Sequence, residues 1–449
     1  MKPQHGRWKP YPAYKPSGVE WLREVPTHWM SKRLRFTCLI NPSKSEVTVL
    51  SENTEVTFLP MEAIGTDGTI DIAESRMIVQ LQQGYTYFRD DDVIVAKITP
   101  CFENGKGAIC KGLRSGIGFG TTELQVLRPR VNIISPFLFY LSKSHPFRNL
   151  GIASMKGVAG QQRITDDFLK DFVIALPSLQ EQQAIAAFLD RETAKIDTLV
   201  AKKERLIELL QEKRTALISH AVTRGLDPNV PMKNSGVEWL GEIPEHWDVA
   251  RIKWSARMVS GHTPDKKVES YWLGGDIPWV SLADTGQLRE VDYIASTATM
   301  TTSDGIAHSS AHVLPTGTVV FSRDATIGLC AITRTGMAVS QHFIGWVCGS
   351  RLRPEYLLFV LRSMTQDLER LTMGATIRTI GMPDVRSLVA PIPPEEEQEK
   401  IVLHVRQQRT KVDNLVAKVH AAVDRLQEYR TALISAAVMG KIDVRGSAA

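Results

Sequence analysis

Two stretches of the chain carry apolar residues at steps close to an alternation of three and four. In the first they fall at Ile185, Leu189, Ile196, Leu199, Leu206, Leu210 and Leu217, and in the second at Val412, Leu415, Val419, Ala422, Leu426, Tyr429 and Leu433. Sustained a/d spacing between charged flanks predicts two long helices that pair as a coiled coil. Each helix would run about 40 residues, or roughly 60 Å at ~1.5 Å per residue. The first stretch has Lys203 and Lys213 where the second has Val419 and Tyr429, so neither makes a clean homodimer seam. The two are therefore expected to pair within one chain, parallel or antiparallel; the alternative is two amphipathic helices packed on separate domains.

Ahead of each helix the pattern changes to strands and turns. Residues 90–110, DDDVIVAKITPCFENGKGAIC, read as an apolar strand, a polar Gly and Asn turn and a second short strand. Residues 317–333, GTVVFSRDATIGLCAIT, repeat that design with Arg323, Asp324 and Thr326 in the turn. Strand patterns follow at 118–129 and 338–348, then the helical SPFLFYLSKS and RPEYLLFVLRS, then KGVAGQQRITDDFLKDFVIALP and GATIRTIGMPDVRSLVAPIP. Each segment reads as an α+β module, a curved sheet with a few helices and long polar loops.

The parallel between the halves extends to the letters. SGVEWLREVPTHW at 17–29 returns as SGVEWLGEIPEHW at 235–247, 218 residues later, and the helical segment at 196–219 returns at 412–435, 216 residues on. A period this long indicates tandem domains rather than a solenoid. The expected organisation is a module at 1–175, a helical spacer at 176–230, a second module at 231–391 and a second spacer at 392–449.

Composition then narrows the class. The chain has 449 residues, 43% apolar and 23% charged, enough for two cores. No run approaches the roughly 18 apolar residues of a membrane span. The start, MKPQHGRWKPYP, lacks an apolar core, so no signal peptide is expected. Five scattered cysteines (Cys38, Cys101, Cys110, Cys330, Cys348) without a CxxC pair predict reduced thiols in the cytoplasm. Residues 1–175 carry 22 Lys and Arg against 17 Asp and Glu, whereas residues 231–391 carry 15 against 16. A basic first module suits a polyanionic partner; any such surface on the second must be a local patch.

The ordered set of these features resembles the specificity (S) subunit of type I restriction-modification systems. It comprises, once in each half, the EWLxE(V/I)PxHW opener, a TTE or SQH strand, an LFYLSKS or LLFVLRS helix, a GQQR or GATIR segment and an LP or IPP before EQ at a helix start. The resemblance implies two tandem mixed α/β target recognition domains joined by two long helices that form an intramolecular coiled coil with pseudo-two-fold symmetry. It also implies that each domain reads one half of a gapped, asymmetric site in double-stranded DNA, while the helices set the gap and dock two methyltransferase (modification) subunits. Restriction/translocase subunits complete such assemblies. S-adenosylmethionine, ATP and Mg are expected on those partners and none on this chain, with adenine the methylated base. The alternative is a coiled-coil scaffold joining two protein-binding modules without DNA.

Contacts to bases and phosphates are expected from polar loops. In the first module the candidates are Lys97, Thr99, Asn104, Lys106, Lys111, Lys156, Gln161, Gln162 and Arg163; in the second, His262, Lys266, Lys267, Arg323, Asp324, Thr326, Gln341, His342 and Arg378. Arg and Lys suit guanine or phosphate, and Gln suits adenine; the competing reading for each is a solvated loop residue. Trp21, Trp29, Trp239 and Trp247 read as core anchors, and Tyr85, Tyr87, Phe88, Tyr271 and Trp272 as loop or core fillers.

Catalytic patterns fare poorly. The chain has no (N/D)PP(Y/F) loop and no GxxxxGK(S/T). SGIGFG at 115–120 reads as a turn before a strand, His308 and His312 lack a third metal ligand, and Asp90, Asp91 and Asp92 read as a solvated turn.

Overall fold

The computed structural model describes residues 8–158, 160–374 and 378–446. The first seven residues of the polar start, Ala159 and residues 375–377 of the GATIR segment, all read above from sequence, lie outside them. The chain divides into two compact units, Met1–Glu204 with His420–Ala449, and Arg205–Val419. Each holds one α+β module and a part of each long helix, Leu179–Arg224 and Glu395–Val438.

In the first unit the module is built on two four-stranded sheets. One has the order Ser75–Met77, Glu55–Leu59, Ile117–Gly120, Thr86–Arg89, with Phe58 and Phe119 paired in parallel. The other has the order Cys38–Ile40, Leu124–Pro129, Val93–Ala96, Gly107–Ile109 and is antiparallel throughout. The second unit repeats the plan. Ala256–Ser260, Phe343–Cys348, Val319–Ser322, Cys330–Thr333 and Tyr293–Ile294 make a five-stranded sheet, and Met300–Thr301, Ile277–Val280 and Ala338–Val339 a three-stranded one.

SGIGFG departs from the expected turn. Only its start turns, and Ile117–Gly120 is a strand. Its glycines make room for an aromatic ring, since a Cβ on Gly118 would sit 2.3 Å from the Phe88 side chain. The acidic run differs as well. Asp92 is buried and accepts from Arg128 Nε and Nη2, both at 2.8 Å, because the antiparallel pairing of Val93 with Leu127 brings Arg128 beside it.

The motifs shared by the halves fasten each module to a helix start. Trp29 and Trp247 are fully buried. Gln182 in the first unit accepts from Ile134 N and donates to the carbonyls of Asn132 and Pro177, at 3.0 Å each. Gln398 in the second accepts from Arg353 N and donates to those of Arg351 and Pro393, at 2.9 Å each. Beside them His28 meets Glu181 at 3.1 Å and His246 meets Glu397 at 2.7 Å. The EQ pair and the PxHW opener are thus two halves of one staple, and Trp21, stacked on Phe172 at 5.0 Å, anchors the entry of the chain.

Each module core also takes in the far end of the other helix. Leu433, Ile434, Ala437 and Val438 join the core around Trp29, and Ala221 and Val222 join that around Trp247. Arg430 pairs with Asp197 at 2.9 Å in the first unit, and Arg214 with Asp413 at 3.0 Å in the second. Of the expected seam, Ile196, Leu210, Val412, Val419 and Leu433 are buried and Leu217 and Leu426 half-buried. Leu199, Leu206 and Leu415 instead are 43%, 41% and 44% exposed. Their neighbours turn inward in their place, Val200 and Val416 to half-buried positions and Ile207 to a buried one. The buried stripe thus steps aside by one position at these places and returns to the expected one at Leu210 and Val419.

Candidate nucleic-acid interface

In each unit three chain segments converge by the same backbone hydrogen bonds. In the first, Lys97 N donates to Glu123 O, Ile164 N to Lys97 O and Thr99 N to Gln162 O, at 2.8, 3.0 and 2.9 Å. In the second, Arg323 N donates to His342 O, Ile380 N to Arg323 O and Ala325 N to Arg378 O, at 3.0, 2.9 and 2.8 Å. Lys97 and Arg323, Glu123 and His342, and Gln162 and Arg378 therefore hold corresponding places. An apolar strand ends there in both units, and its polar continuation is free to carry side chains into a loop.

The chemistry at the two junctions differs. Arg163 donates through Nε and Nη2 to both carboxylate oxygens of Glu123, at 2.9 and 2.8 Å. That guanidinium holds the Glu123 carboxyl below its ordinary range, against the opposing effect of burial. The Arg163 position is Thr379 in the second unit, where Asp324 is the hub. Asp324 accepts from Thr379 Oγ1 and meets His342 Nδ1 at 2.9 Å and Arg323 at 3.6 Å. Gln341 accepts from Thr263 Oγ1, and Arg323 also reaches the carbonyl of Ile380 at 3.1 Å.

The structure thus brings Lys97, Thr99, Lys156, Gln161, Gln162 and Arg163 together, since Lys156 and Arg163 pair across a short hairpin with Gln161 near its exposed tip. Asn104 is exposed on the neighbouring loop, while Lys106 Nζ is tied to the carbonyl of Met61 at 2.9 Å. Lys111 does not join them. It follows Gly107–Ile109, whose Gly107 end faces Val95 and whose Ile109 end faces Val93, so it lies at the opposite end of the sheet from Lys97.

In the second unit Arg323, Asp324, Gln341, His342 and Arg378 meet at the junction. Lys266, Gln341 and His342 line one cleft, with exposed His262 and Lys267 beside it. Thr326 turns inward, its Oγ1 buried with no partner among the described residues. Sequence reasoning that looked for cations and amides passed over Glu123, Thr263 and Thr379. The available signal for Glu123 was the TTE segment aligned with SQH, where Glu123 stands opposite His342.

Among the described residues no group of His, Cys, Asp and Glu is arranged to hold a metal, and no helix is long and apolar enough to cross a membrane.

Comparison with known proteins agrees with this duplicated plan. The family model described as "Type I restriction modification DNA specificity domain" matches residues 61–209 and 244–407. The chain is 41% identical over 232 residues to the EcoAI specificity subunit of Escherichia coli, covering 50% of this chain and 37% of that protein. It is 40% identical over 165 residues to the EcoEI specificity subunit of the same organism, 36% of this chain and 27% of that protein. The matched stretches thus span about a third of the first relative's length and about a quarter of the second's. With the putative MjaX specificity subunit of Methanocaldococcus jannaschii it shares 23% identity across 94% of this chain and 96% of that one. In fold it is similar to a chain solved in work on assembly and conformational transition of the type I R-M system (TM-score 0.71, 20% identity, 93% of this chain and 99% of that one). It is also similar to the HsdS subunit from Thermoanaerobacter tengcongensis (TM-score 0.56, 20% identity, 93% and 98%). With both modules matched by the family model and the fold shared along the chain, this protein belongs to the type I restriction-modification DNA specificity domain family.

Proposed function

We propose that this chain is the non-catalytic, DNA-reading subunit of a type I restriction-modification complex, and that its two modules each read one half of a gapped, asymmetric site in double-stranded DNA. The observation that carries this is the contrast between the staples and the junctions. The Gln182 and Gln398 staples make the same bonds, whereas the corresponding junctions hold Arg163 with Glu123 in one module and Asp324 with His342 and Thr379 in the other. One scaffold presenting two sets of polar side chains is what reading two different short sequences requires. A stiff connection between modules makes the second contact effectively intramolecular.

The long helices set the gap and dock two modification subunits. Leu199 and Tyr429 in the first unit, and Leu206, Leu209, Leu403 and Leu415 in the second, are exposed apolar residues available to such partners. S-adenosylmethionine, ATP and Mg act on the modification and restriction subunits, and the complex works in the cytoplasm, where free cysteines such as the five of this chain remain reduced. The test is an exchange of residues 231–391 for the same region of a relative. One half of the methylated sequence should change and the other should stay; a change in both halves, or in neither, contradicts the assignment of one module to one half.

A further inference from the structure

The second module holds a cleft of about 490 Å³ whose lining includes Thr263, Lys266, Trp272, Trp279, Ser340 and His342. That lies within the roughly 300–1,000 Å³ typical of small-ligand sites. Trp272 and Trp279 meet edge to face, with centroids 4.9 Å apart and planes at 73°. Both indole N–H groups are already committed, Trp272 Nε1 to Asp265 O at 3.1 Å and Trp279 Nε1 to His262 O at 3.3 Å. The pair therefore presents ring surface rather than donors to an occupant. Ser340 is buried, and its Oγ has no partner among the described residues. At the rim stand Lys266, which is exposed, and the Gln341–His342 pair of the junction.

The first module shows what this position accepts. Trp279 pairs in parallel with Ala338, as Phe58 does with Phe119. The following residues match too, with Ser340 N donating to Val280 O and Thr121 N to Leu59 O. Phe58 thus holds the register position of Trp279. It already carries a planar group of its own chain, the Arg76 guanidinium, 3.8 Å from the ring centroid.

We propose that the Trp272–Trp279 cleft receives one nucleobase unstacked from DNA held at the second module, with the ring against the indoles and its phosphate toward Lys266. This rests on the DNA-reading function above. Stacking on aromatic side chains tolerates any base and offsets the loss of stacking within the duplex.

The test uses the chain in complex with its modification subunit and duplexes bearing the methylated site, with an abasic residue placed opposite each position of the second half in turn. Extrusion predicts a position, distinct from the base that the modification subunit itself unpairs for methylation, where removing the opposing base tightens binding about tenfold, because the base there no longer has to be unpaired. Trp272→Ala should abolish the gain, and Lys266→Ala, at an exposed position, should reduce it if the first variant fails to fold. Tight binding of the intact duplex with no such position overturns the cleft assignment alone. Absence of binding to any duplex overturns the DNA-reading function itself. Binding of free deoxynucleoside monophosphates without a position-dependent gain assigns the cleft to a free nucleotide and overturns the proposal.

Discussion

Arg163 and Glu123 form a two-pronged ion pair, with Nε and Nη2 at 2.9 and 2.8 Å from the two carboxylate oxygens. A cation of the first module's junction is thus held by an acidic neighbour that fixes its direction. Glu123→Gln removes that hold. Methylation by the complex should then change or relax in the first half of its target only, and low-salt binding to unrelated DNA should tighten, since a freed guanidinium adds a phosphate contact. Genome-wide mapping of methylated positions for the variant checks the first outcome and a salt titration the second.

Asp324 plays the organising part in the second module through His342 and Thr379. Asp324→Ala releases both. The expected cost is about 1–3 kcal/mol of discrimination, the value of a well-formed base contact, confined to the second half of the site. Competition binding with duplexes altered in one half at a time measures it.

Gln182 and Gln398 are 0% exposed and each makes three hydrogen bonds to the backbone. Replacing either with Ala leaves buried backbone groups unpaired and should cost about 2–4 kcal/mol. The sequence methylated by whatever protein remains folded should not change. Urea unfolding read alongside methylation mapping separates the two effects, and altered specificity from either variant contradicts a purely structural role.

Asp292 ties the second module to the second long helix, meeting Arg409 at 2.7 Å as well as Arg362. Burial alone would raise its carboxyl, but the bonds from Arg409 and the two guanidinium charges outweigh burial and hold it below the ordinary value. A carboxyl depressed in the folded state adds stability above its unfolded value of about 3.9, and that contribution is lost as pH falls through the folded value. Asp292→Asn should therefore destabilise by about 2–4 kcal/mol at neutral pH. The difference from the parent should shrink as pH drops below about 4, which denaturant melts at several pH values will show.

Much of the fold was legible because repetition and periodicity are local signals. The opener, the EQ pair and the 3-4 spacing each marked a real element, and the helix seam missed by one residue at Leu199, Leu206 and Leu415, where an apolar neighbour (Val200, Ile207, Val416) offers the spacing an equally good alternative. The site was less legible, because the roles of its residues are set by partners distant in sequence. Nothing near Arg163 shows that Glu123, 40 residues earlier, receives it. Nor does the alternation around Lys111 reveal that its strand runs away from Lys97. Asp92 looked solvated for the same reason, its partner Arg128 being 36 residues on.

The central claim is that two modules on one chain read two different half-sites. Co-expression with a modification subunit from its own genome, followed by single-molecule sequencing of the host DNA, tests this most directly. The account predicts one split, asymmetric sequence, methylated on both strands across a fixed gap. A continuous or palindromic sequence, or no new methylation from a stably assembled complex, would contradict it.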